Sequence, residues 1–198
     1  METRLDCAVS DQLALRVDFI KLADRYGHEL SAVIREGSSE NVVPLCASVE
    51  GASDDPWPPS PPLQSLSIEK LSDGRTAALL VGMAGRSHWS ASIATKPDES
   101  VKGMLEFDYA CRFAGEAQSA SCEYRIPRSI AAALDPKTSL VLLRTLDVGT
   151  ICIGLASEGK PIVLDGGAPK LRFEVPVDNK HRGATLRWRY VVWFGRIG

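Results

Sequence analysis

The spacing of turn residues is the strongest constraint on this chain. They cluster at Asp24-Arg25-Tyr26-Gly27, at Glu36 to Asn41, at Ser72-Asp73-Gly74-Arg75 and at Lys96 to Ser100; Gly149, Gly159, Gly166 and Gly167 continue the series. Such breaks recur roughly every 8–14 residues, the spacing of an antiparallel sandwich or barrel. A chain cut this often lacks the strand–helix alternation that a parallel sheet needs. Between breaks, apolar and polar residues alternate. Leu105, Phe107, Tyr109, Cys111 and Phe113 oppose Glu106, Asp108 and Arg112. Leu186, Trp188, Tyr190, Val192 and Phe194 oppose Arg187, Arg189, Val191 and Trp193. A period of two is the strand period. The expected fold is all-β, an antiparallel β-sandwich or open barrel with one short helix.

That helix is predicted over residues 128–134, where Pro127 can occupy the first turn and three alanines follow. Leu13 to Leu22 fits a helix or a strand; the alternation of Leu13, Leu15, Val17 and Phe19 favours the strand. Val42 to Val49 contains Pro44, which points to an edge strand. Residues 1–11 are polar and read as frayed or as an edge segment. Residues 51–63 form a Pro-rich strap, because five prolines between Pro56 and Pro62 preclude helix and sheet. An extended crossing segment with Trp57 pinned to the body is preferred there to a ligand for an SH3- or WW-type groove.

At 198 residues the chain suits a single β domain spanning 1–198, and 44% hydrophobic residues suffice for a core. A net charge of −2 creates no global field for nucleic acid or anionic lipid. No apolar run approaches the ~20 residues of a membrane helix, and the start of the chain lacks the pattern of a signal peptide. A cytoplasmic setting is expected. The five cysteines are scattered, without a CxxC, and read as free buried thiols. One pair, Cys111 and Cys122, would face each other across a hairpin turning at Glu116-Ala117.

The richest chemistry lies between Gly82 and Ser92. Gly82-Met83-Ala84-Gly85 reads as a turn but lacks the Lys-Ser/Thr of a phosphate loop. Arg86, Ser87, His88 and Ser90 are the candidate binding residues. Arg86 and Ser87 could join backbone N–H groups in a small anion nest. Strand alternation puts Ser87 and His88 on opposite faces, whereas His88 and Ser90 share one. No G-x-S-x-G is present, and the third member of a triad is undistinguished among Asp108, Asp147 and Asp165. His28, His88 and His181 lack metal-ligand spacing, so no catalytic residue, cofactor or metal is assigned. The stretches 55–64 and 81–90, the latter reading VGMAGRSHWS, resemble segments of uncharacterised bacterial proteins. The resemblance implies a bacterial cytoplasmic origin and brings no activity.

Three functions compete. A non-catalytic binding or interaction β-domain, for a protein or a small anionic ligand, is preferred, with an exposed apolar or aromatic patch around Trp57 or Trp193. A small hydrolase or lyase would use His88 with Arg86 and Ser90, and requires His88 to be enclosed. A nucleic-acid binder would use Lys180, Arg182, Arg187, Arg189 and Arg196 with the interleaved aromatics, but on a strand Trp188 and Tyr190 face away from Arg187 and Arg189. Nucleic acid and membrane are therefore not the expected partners.

Overall fold

The computed structural model describes residues 3–96, 103–115, 118–155, 160–164, 169–177 and 183–195. The alternating runs become β1 (Arg4–Ala8), β2 (Leu13–Lys21), β3 (Tyr26–Glu36), β4 (Ser39–Ser48), β5 (Ser65–Lys70), β6 (Thr76–Ala84), β7 (Ser87–Lys96) and β8 (Met104–Arg112). They continue as β9 (Ser121–Arg125), β10 (Ala131–Leu134), β11 (Val141–Thr145), β12 (Gly149–Leu155), β13 (Lys160–Leu164), β14 (Lys170–Glu174) and β15 (Thr185–Gly195). Two antiparallel sheets result. One has the order β1-β2-β3-β4-β9-β14-β13, the other β10-β11-β12-β15-β8-β7-β6-β5. Their inner faces pack as a sandwich.

The core follows the alternation. Phe107, Tyr109 and Cys111 of β8 and Trp188 and Tyr190 of β15 are buried, as are Leu15 and Val17 of β2 and Tyr124 and Phe173 from β9 and β14. All belong to one contiguous cluster. Tyr190 is sandwiched between Phe107 and Phe173, with ring centroids 4.8 and 4.4 Å away. Each buried ring contributes about 2–3 kcal/mol of transfer free energy, with about 1 kcal/mol more from well-oriented ring pairs.

The Pro-rich segment crosses from one sheet to the other. Ser60 Oγ donates to the Glu123 carbonyl and accepts from the Glu123 N–H, both at 3.1 Å. Ser121 Oγ donates to the Pro59 carbonyl at 3.0 Å. The segment thus occupies the part of β9 that β4 leaves open, since β4 pairs with β9 only through Ala47 and Ser48. At its other end the Tyr26 N–H donates to the Leu63 carbonyl and the Gln64 N–H to the Val81 carbonyl. Trp57 packs on Phe113 at 5.6 Å. This is the strap read from the sequence, serving as part of the core.

Several expectations are corrected. Residues 128–134 form no helix: Ile130 N–H closes a turn on the Pro127 carbonyl and Ala131–Leu134 pair with β11. A seven-residue helix cannot offset its nucleation cost, whereas the edge of β11 offers ready backbone partners. Cys111 and Cys122 lie on different sheets, and all five cysteines are free. Both neighbours of β8 are already taken by β7 and β15, so the chain after β8 crosses to the other sheet. Of the two readings of residues 1–11, frayed or an edge segment, the second holds for Arg4–Ala8, which form edge strand β1 with Leu5 and Cys7 buried. β4 stands between β3 and β9 in sheet order but pairs with β9 only through Ala47 and Ser48. The stretch carrying Pro44 is therefore ladder-paired on the β3 side alone, as an edge strand would be, beside a bulge where the register steps from Leu30–Cys46 to Ser31–Pro44. Gly82 is not in a turn, because β6 runs to Ala84. Leu13–Lys21 form the strand preferred from their alternation. The expected turns at 97–100, 159 and 166–167 lie outside the described residues.

Candidate functional site

The β6–β7 hairpin turns through Gly85 and Arg86 alone, with Gly85 at φ +56°, a conformation glycine adopts without steric cost. Pairing runs Ala84–Ser87, Met83–His88, Gly82–Trp89 and Val81–Ser90. This register sorts the four candidate residues. Arg86 is exposed at the turn. Ser87 is buried, and its Oγ accepts from the Ala114 N–H at 3.3 Å. His88 is exposed on the outer face, and Ser90 is half-buried beside it. Ser87 and His88 are therefore held apart, while His88 and Ser90 share a surface. Of the aspartates considered for a triad, Asp108 pairs with Arg187 and lies opposite Ser92, and Asp147 lies in the exposed β11–β12 turn, beside the Gly195 end of β15 and away from Thr185; Asp165 falls outside the described residues.

What the fold adds to His88 and Ser90 comes from neighbouring strands. Register rows cross the sheet as Met83–His88–Arg112–Thr185 and Val81–Ser90–Ala110–Arg187. Between them lies an open groove of about 460 Å³, lined among others by Val81, Met83, His88, Ser90, Ala110 and Arg112. The floor is made of small side chains, Ser90 and Ala110. One wall is the outward edge of β6, where Leu79, Val81 and Met83 are 41, 56 and 44% exposed. Three apolar side chains at successive outward positions make a stripe, and an exposed apolar stripe beside a groove is the usual mark of a binding surface. The Met83 backbone is held from the edge of β6: the Gln64 side-chain amide donates to the Met83 carbonyl at 3.3 Å and accepts from its N–H at 3.1 Å. Gln64 thereby completes the ladder where the main chain leaves β5 for the strap.

The opposite wall is polar, made by Arg112 and Thr185. Beyond the groove on the same sheet, Arg187 forms a two-point ion pair with Asp108, Arg189 lies 4.0 Å from the same carboxylate, and Lys96 pairs with Glu106 at 3.1 Å. Arg112, exposed at the C-terminal end of β8, has no carboxylate within 4.0 Å among the described residues. The groove thus holds a guanidinium whose charge is not compensated locally. Lys180, Arg182 and Arg196 lie outside the described residues.

A second polar cluster is sealed in the core. His28 Nε2 lies 2.8 Å from the Tyr124 hydroxyl, which bonds Tyr190; Tyr109 lies 3.4 and 3.3 Å from those two hydroxyls. Burial pushes the His28 imidazole down to about 4 and raises all three phenols. The adjoining cavity is about 10 Å³, room for about one water at most. This cluster is packing, not a ligand site. Among the described residues no group of three or more His, Cys, Asp or Glu side chains could hold a metal ion.

Leu79, Val81, Met83, Gln64 and Arg112 were not singled out from the sequence. The run Ala77 to Val81 is continuously apolar, which hides the face that turns to solvent. No protein-family model matches the chain, and no curated protein does.

Proposed function

We propose that this protein is a non-catalytic binding β-domain and that it binds through the outer face of the eight-stranded sheet, at the groove between β6 and β8. The observation that carries this reading is the exposed row Leu79, Val81 and Met83 beside that groove. The surface differs from the one expected around Trp57 or Trp193: Trp57 is packed against the core, and Trp193 is half-buried near the opposite end of β15 from the groove's Thr185. An exposed His88 with Met83 and Arg112 as its cross-strand neighbours weighs against acid–base or nucleophilic catalysis. Arg187 and Arg189, gathered on Asp108, weigh against nucleic acid. Five free thiols support a reducing, cytoplasmic setting.

Nile red, a neutral apolar dye, tests the surface. The native protein should enhance its emission, and Val81→Ser with Met83→Ser should remove most of the enhancement while leaving the circular dichroism spectrum intact. Equal emission from native and doubly substituted protein rejects this face as the binding surface.

A further inference from the structure

The lining of the groove specifies a ligand chemistry. We infer that it takes a small amphipathic monoanion, a carboxylate carried on a linear apolar chain. This inference rests on the binding face proposed above. Arg112 supplies the head-group contact. A guanidinium presents a planar donor fork that fits a carboxylate by two parallel hydrogen bonds, and Arg112 is the groove cation with no acid of its own among the described residues. His88 and Thr185 flank it in the same register row and add polar partners.

The rest of the groove suits a chain and not a second charge. Moving from β8 to β6 crosses two strand spacings, ~10 Å, over the small floor of Ala110 and Ser90 to the apolar wall of Val81 and Met83. Leu79, the next outward residue of β6, extends that wall. Asp108, two residues from Ala110 and already held by Arg187, disfavours a carboxylate displaced toward the Leu79 row. The ligand is therefore oriented, with its head on Arg112 and its tail on β6. A volume of about 460 Å³ falls within the range of small-molecule sites. An open groove leaves one side of the ligand in water, so the binding is weak.

Isothermal titration with decanoate, below its micelle-forming concentration, provides the test, with decanol and decylamine as head-group controls. Decanoate should bind at one saturable site, at least tenfold tighter than decanol, and decylamine should not bind. Arg112→Gln should weaken decanoate at least tenfold and remove its advantage over decanol. Arg144→Gln, an exposed arginine of β11 away from the groove, should leave the affinity within twofold. These positions are exposed, and circular dichroism verifies folding. Absence of decanoate binding, equal affinity for decanol, or an unchanged affinity in Arg112→Gln overturns the assignment. The Nile red result separates the two levels: dye bound and then lost on Val81→Ser with Met83→Ser, without decanoate binding, rejects the ligand class alone, whereas failure of both rejects the face.

Discussion

His28 is the residue on which acid stability turns. Its ring is enclosed by Phe19, Phe107 and Tyr124, with centroids 6.4, 6.1 and 5.4 Å away. Burial lowers its titration from 6.5 to about 4, so the folded state holds the neutral ring. A depressed folded value contributes stability that is present above 6.5 and lost as pH falls toward 4. At ~1.4 kcal/mol per pH unit the loss over that window is roughly 3 kcal/mol. Glu50, whose carboxyl is raised by burial, acts with the opposite sign, so a variant is needed to isolate the histidine. His28→Gln keeps a polar partner for Tyr124 and removes the titrating group. Urea midpoints at pH 7 and pH 4.5 should differ by much less in this variant than in the native protein. The same difference in both would remove His28 from the account.

At the scale of elements, the strap and β6 are tied together at one backbone position. A Cβ on Gly82 would lie 1.7 Å from the Pro62 carbonyl oxygen, a contact that neither chain can relieve without moving. Gly82→Ala should cost about 3 kcal/mol or more, read as a fall in the thermal midpoint. Gly115→Ala is the control, because nothing lies within 4 Å of its added Cβ; its midpoint should hold or rise slightly. Comparable losses in both variants would mean that the strap does not lock β6. The same pair of elements marks the limit of local reading. The glycines at 82 and 85 look alike in sequence, yet one serves a close approach from a segment about twenty residues away and the other a turn. The Ala131–Leu134 strand was obscured in a related way. Its alanines favour helix locally, and only the edge of β11 makes an extended conformation pay. By contrast β7, β8 and β15 were legible residue by residue, because alternation records directly which side chains face the core.

Across the whole molecule the cysteines report on the integrity of the sandwich. Burial raises the thiols of Cys7 to about 11 and of Cys46 and Cys111 to about 12, and it raises Cys122 and Cys152 as well. The thiolate is the reactive form, so a disulfide reagent such as DTNB should label the native protein far more slowly than the same protein in denaturant. Rapid labelling of any thiol in the native state would reveal local opening of the sheet that carries it. The sequence by itself determined the all-β class, the strap, and the inward faces of the strands, because turn chemistry and period-two patterning act over a few residues. It also separated Ser87 from His88, and so weakened the case for catalysis. The tertiary structure decided which sheet each strand joins, why Gly82 is glycine, and which residues surround His88 and Ser90. Those outcomes depend on which edges are already occupied and on which distant side chains arrive at the same surface. Arg112 lies 24 residues from His88 in sequence and directly across from it in the sheet, a proximity that only the pairing register creates.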